Sequence, residues 1–209
     1  FRDNDQRYAG DICKTLKKAD LVIRDMGYSV ISALKQIQAS QAFFLSRLRF
    51  GLYIYDAETE QQLDLDKLLK DAKIQGQPTL DMIVKIGQKE QLQVRLLAIR
   101  APQAVEQKRR RKAIQNRSNK ANHCQVYLDR LAWTLMITNV EYQVWTPQQA
   151  LKVYSWRWYI EIMFKAWKSE LKMQKCFEAK QSISPPRVFM TFYLMLTWVS
   201  IMLMPMFYT

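Results

Sequence analysis

Histidine and cysteine are nearly missing from this chain, which has one histidine, His123, and three cysteines, Cys13, Cys124 and Cys176, in 209 residues. The cysteines lie far apart with no C-x-x-C pair, so neither a disulfide framework nor a zinc site is expected, and a reducing cytoplasm is the fitting compartment. His123 has no ligand pattern around it and reads as a structural or surface residue. No internal repeat or long low-complexity tract is present. The first residues, FRDNDQRYAG, carry neither an initiator methionine nor a signal-peptide pattern, which reads as a cut into a longer chain. Acidic charge is also scarce: 19 Asp and Glu face 32 Lys and Arg, a net charge of +13. That excess favours a polyanionic partner, either nucleic acid or an anionic membrane surface. What is plentiful is apolar, at 49% of residues, enough for a folded protein with a substantial core.

Coarse patterning predicts a mixed α/β chain. In ADLVIRDMGY, Leu21, Val22 and Ile23 form a short buried-strand run that ends at Asp25, before Gly27. A helix from Ser29 to Gln38 and a strand from Ala42 to Leu48 follow. A short helix is expected over Asp64–Ala72, then two strands, MIVKIG and QLQVRLLAIR, joined as a hairpin. A basic segment runs from Ala104 to Lys120, and LAWTLMIT at 131–138 reads as a strand. Pro147 is placed to open a long helix, and Ser184-Pro185-Pro186 interrupts the chain near its end. The stretch from Val188 to Tyr208 has no charge and is long enough to span a bilayer. A tail anchor and a buried final helix are both compatible with it, but Thr191, Thr197, Ser200 and Pro205 favour the buried helix.

The long helix carries Tyr154, Arg157, Glu161 and Lys168 in the order Y-x2-R-x3-E-x6-K. At about 100° per residue these offsets bring four polar groups into an arc of roughly 60°, with Trp156, Ile160, Met163, Phe164, Trp167 and Leu171 along the adjoining face. One carboxylate among cationic donors suits work on phosphates. The plain alternative is a solvated stripe with an Arg–Glu pair four residues apart. Asp25 likewise has an ordinary reading, as a turn or cap aspartate. For the segment EQKRRRKAIQNRSNK the choice lies between a solvated helix face and phosphate contact by Lys108, Arg109, Arg110, Arg111, Lys112, Arg117 and Lys120. Trp133 alternates with Leu131, Leu135 and Ile137, as a core residue would.

The Y-x2-R-x3-E-x6-K spacing resembles the signature of bacterial insertion-sequence transposases of the DDE superfamily. The strand ending in Asp-x-Gly-Tyr, then a helix, then a strand ending near Arg47, resembles the block around the second catalytic aspartate of that family. The resemblance implies an RNase H-like α/β core with a β-rich module inserted before the glutamate helix. Residues 1–50 would hold a partial core with the second aspartate, 51–140 the insertion and basic segment, and 141–209 the C-terminal core helices. It implies Asp25 and Glu161 as catalytic metal ligands and a two-metal Mg2+ or Mn2+ site for cleavage and strand transfer of DNA. Tyr154, Arg157, Lys168, Arg47 and the cations Lys108, Arg109, Arg110, Arg111 and Lys112 would contact DNA, and Trp133 would stack on a flipped base if its ring is exposed. Double-stranded DNA, a homodimeric synaptic assembly and a cytoplasmic, nucleoid-associated location follow. One departure stands out: too few residues precede Asp25 for the strand that carries the family's first aspartate, and Asp3 and Asp5 lie in a polar, turn-like stretch. The chain is therefore expected to bind DNA without cutting it alone. A non-catalytic DNA-binding remnant is the main alternative, and a basic protein with a C-terminal membrane anchor a further one.

Overall fold

The strands share one sheet. The computed structural model describes residues 15–26, 30–116, 124–159, 161, 162 and 165, and divides the chain into two units, 1–157 and 158–209. All strands among the described residues belong to the first unit. β1 (Leu21–Arg24) runs parallel to β2 (Phe43–Arg47), with α1 (Ile31–Ala39) as the crossover, because parallel neighbours cannot be joined by a tight turn. The expected buried run at Leu21–Ile23 is an edge strand among the described residues, with Leu21 exposed and Val22 and Ile23 half-buried.

β3 (Ile54–Asp56) leads to α2 (Leu65–Ile74), whose first turn is capped by Asp64 accepting from the Asp66 and Lys67 N–H groups. The hairpin of β4 (Thr79–Ile86) and β5 (Leu92–Arg100) follows. Its turn starts at Gly87 with φ +94°, where an added Cβ would meet Ile31 Cδ1 at 2.5 Å. The basic segment begins as α3 (Gln103–Ile114); a short α4 (Gln125–Arg130), which periodicity did not foresee, precedes β6 (Trp133–Thr138). The sheet order is β1-β2-β6-β5-β4-β3, so the strands of the 51–140 region extend the sheet that β1 and β2 begin.

Both faces of the sheet are covered, which explains why β5 and β6 are apolar almost without alternation. On one face Phe44, Leu96, Leu135 and Ile137 pack with Leu34 and Ile37 of α1 and Leu65 and Leu69 of α2. On the other, Leu45, Leu97, Ile99 and Met136 pack with Ala150 and Tyr154 of α5 (Pro147–Ser155). Pro147 opens α5 within a Thr146–Gln149 capping box.

The loop into α5 is fixed by groups the sequence reading did not single out. Arg95, 3% exposed, donates from Nε and Nη2 to Asp81 at 2.7 and 2.6 Å, and also to the carbonyls of Trp145 at 2.8 Å and Val140 at 3.3 Å. Asn139 substitutes for a strand partner, accepting from Phe44 N–H at 2.8 Å and donating to the Ala42 carbonyl at 2.9 Å. Helix α5 ends at Ser155; Trp156 keeps right-handed helical dihedrals (φ −63°, ψ −25°) while its N–H bonds the Val153 carbonyl, three residues back. Helical backbone resumes at 157–159. No helix among the described residues is long and apolar enough to cross a membrane; the uncharged stretch 188–208 lies outside them.

Candidate active site and basic surfaces

β1 delivers Asp25 just beyond its last residue, and α5 delivers Tyr154 from the covering face of the sheet. The two meet: Tyr154 O–H donates to Asp25 Oδ1 at 3.2 Å, and Met26 N–H donates to the same oxygen at 2.8 Å. Arg157, where helical backbone resumes after α5, places Nη1 4.0 Å from Asp25 Oδ2 and its guanidinium 5.7 Å from the centre of the Tyr154 ring. Asp25 therefore has one oxygen oriented by neutral donors and the other beside a cation. Its side chain stays 48% exposed, so the carboxylate is fixed and still reachable.

Tyr154 is only 8% exposed. Burial pushes its phenol up to about 12, and the negative charge of Asp25 adds to the shift, while Arg157 and Arg47 pull weakly the other way. At neutral pH the phenol is thus a permanent donor to Asp25. Arg47 closes β2 on this same face, since Arg47 pairs with Met136 across the ladder. Its Nε is buried with no hydrogen-bond partner among the described residues. Arg109 of α3 lies close enough that burial, first, and Arg47, second, lower its affinity for its proton. Two guanidinium groups held this near one another form a place where an anion is welcome. They line a cleft of about 110 Å3 together with Arg49, Phe50, Tyr127 and Arg130.

The run of cations on α3 divides in two. Arg109 donates to the Leu131 and Trp133 carbonyls at 3.3 and 3.4 Å and to Thr134 Oγ1 at 3.0 Å. Arg110 holds Asp129 at 2.6 Å and Glu106 at 3.5 Å. These two tie α3 to α4 and β6. Lys108, Arg111 and Lys112 are exposed and have no partner among the described residues; Arg117 and Lys120 lie outside those residues.

The expectation for Trp133 is corrected. Its ring is 3% exposed and belongs to the core, because the alternation of β6 turns it inward with Leu135 and Ile137; the exposed face that stacking requires is absent. Glu161 stands half-buried on a helical stretch of the second unit, and Lys168 lies outside the described residues. Among the described residues no three His, Cys, Asp or Glu side chains gather into a metal site. Asp25 itself suits a hard divalent cation: an exposed carboxylate, braced on one oxygen by outer hydrogen bonds, is the donor such ions take.

Comparison with known proteins adds the lineage. The family described as Transposase DDE domain matches residues 2–196. Transposases for insertion sequence elements IS231F of Bacillus thuringiensis subsp. israelensis and IS231B of Bacillus thuringiensis subsp. berliner are each 28% identical over 196 residues, covering 86% of this chain and 41% of the relative. The transposase for insertion sequence element IS1151 of Clostridium perfringens is 28% identical over 194 residues, covering 85% of this chain and 41% of its own length. The chain thus spans about two fifths of the length of these relatives. No solved structure matches it.

Proposed function

This chain belongs to the transposase DDE-domain family, and from that premise we propose that it forms part of the catalytic domain of an insertion-sequence transposase. The reaction is metal-dependent cleavage and strand transfer of DNA, on a partial RNase H-like core. The observation that carries the reading is the meeting of Asp25 with Tyr154 and Arg157, residues remote in sequence that converge on one exposed carboxylate.

By resemblance to the family, Asp25 and Glu161 would hold the divalent cation, Mg2+ or Mn2+, in the complete domain. Such ions polarise the scissile phosphate and lower the pKa of an attacking water. The chain's own groups do the positioning. Tyr154 keeps its proton and fixes the rotamer of Asp25, so the free oxygen faces outward. Arg157 offsets the carboxylate's charge and receives a phosphate oxygen as DNA approaches. Arg47 takes a further phosphate in the cleft it shares with Arg109, while Lys168 contributes by resemblance alone. Lys108, Arg111 and Lys112 add charge that holds the duplex without reading its sequence. Two copies act together on paired element ends.

The chain alone is proposed to bind DNA without cutting it, because Asp25 and Glu161 are two of the three acids this chemistry uses. The test is nicking, with Mg2+ or Mn2+, of duplexes carrying the DNA that flanks its own coding sequence. We expect binding and no nicking by this chain, and nicking by a longer transposase containing it that Asp25→Asn or Glu161→Gln abolishes. Nicking that survives both substitutions would remove these residues from the active site. Strong nicking by this chain that Glu161→Gln abolishes would instead show that another acid within it completes the set.

A further inference from the structure

A second cationic surface lies on the other covered face of the sheet, where α2 packs against Phe44 and Leu135 rather than beside Tyr154. α2 and α4 are joined by Arg130, which donates from Nη2 to Asp66 Oδ2 at 2.8 Å and stacks over Phe50 at 4.5 Å. Between the two helices runs a groove of about 740 Å3.

Its charges are not balanced once their partners are followed. Each acid that lines it is already engaged: Asp64 caps α2, Asp66 holds Arg130, and Asp129 holds Arg110. Lys73 is engaged as well, 3.5 Å from Glu106. Lys67, Lys70 and Arg100 are exposed and have no partner among the described residues. Lys67, Lys70 and Ile74 follow one another at helical spacing, on a stripe opposite the buried Leu65, Leu69 and Ala72. Arg100 stands opposite Trp133 in the β5–β6 ladder, so its side chain leaves the sheet on the groove side. Ile74, 75% exposed, and Val126 offer apolar surface between the cations.

We infer that this groove binds the phosphate backbone of duplex DNA, as a contact separate from the Asp25 site. The inference rests on the transposase reading for its choice of polyanion. Two flexible ammonium groups and one guanidinium, spread along a channel, match a repeating line of phosphates, and Ile74 and Val126 match the sugars between them. No group there is arranged to read base edges, so the contact supplies affinity and direction, not sequence choice. The duplex is thereby held on the 51–140 region while its end reaches Asp25.

The experiment is a salt titration of duplex DNA binding, by fluorescence anisotropy without metal, for the full chain and for the triple variant Lys67→Gln, Lys70→Gln, Arg100→Gln. Loss of three phosphate contacts predicts a slope of log K against log salt shallower by about 2.7, and binding on the order of a hundredfold weaker near physiological salt. A Lys89→Gln chain, which loses one exposed cation in the β4–β5 turn outside the groove, serves as reference and keeps the parent's slope. A photo-crosslinking benzoylphenylalanine in place of Ile74 should capture the duplex, and an excess of a polyglutamate peptide should not displace it. A folded triple variant with unchanged slope and affinity would overturn the inference and leave the active-site reading standing. Should that variant not fold, absence of the Ile74 crosslink would overturn it. Failure of the parent chain to bind DNA would instead bring down the transposase reading beneath it.

Discussion

The site around Asp25 and the basic helix α3 look alike as sequence, each a cluster of charge that could be functional or idle, and the fold treats them in opposite ways. Around Asp25 three residues from two distant segments meet through one hydrogen bond and one ion pair, at a carboxylate that stays half-exposed. On α3 a run that is continuous in sequence is divided. Arg109 and Arg110 turn inward to carbonyls, Thr134 and Asp129, while Lys108, Arg111 and Lys112 remain in solvent. Charge density alone therefore does not mark function. What marks it is whether a group's partners leave it something to give.

The sharpest way to break this contrast is to neutralise the outward set. Lys108→Gln, Arg111→Gln and Lys112→Gln together should weaken duplex DNA binding on the order of a hundredfold near physiological salt and flatten the salt slope by about 2.7. The thermal midpoint should stay within about a degree, since the three side chains have no partner to lose. A large loss of stability instead would show that the division on α3 is wrong.

Arg109→Gln should do the reverse. Removing a half-buried guanidinium that holds two carbonyls and a hydroxyl leaves those acceptors unpaired, at a cost of about 2 kcal/mol in a urea melt. Its effect on binding, measured below the melting range, should be smaller than that of the outward trio.

The smallest effect concerns Tyr154. Its folded phenol titrates near 12, above the ordinary 10. The neutral form is the one the fold prefers, so its contribution is complete below about pH 10 and is lost as pH rises towards 12. Subtracting the pH dependence of a Tyr154→Phe variant should isolate a fall in stability confined to that window. An identical alkaline profile in the two proteins would mean that Asp25 and burial do not hold the phenol as described.

The lineage of this chain was legible in the spacing of a few residues, and much of the fold in its periodicity. The β4–β5 hairpin, the Asp64-capped helix and the Pro147 start each rest on local chemistry that a sequence displays. The tightened hydrogen bond at Trp156 was not legible, because nothing in the apolar stripe marks where a helical N–H bonds three residues back instead of four. Nor was the core role of Trp133 separable from stacking, since alternation reveals a face without saying what covers it. Arg95 was missed entirely: a cation inside a strand carries no sign that Asp81 and two loop carbonyls wait for it. The division of α3 depends on α4 and Thr134, whose positions are set by tertiary packing.

The central claim, that Asp25 braced by Tyr154 is a metal-ligand carboxylate, is tested most directly by affinity cleavage with Fe2+, ascorbate and peroxide in place of Mg2+. The account predicts backbone scission focused around residue 25 and around residue 161, suppressed by excess Mg2+ and lost in Asp25→Asn. Scission spread evenly along the chain, or unchanged by that substitution, would contradict it.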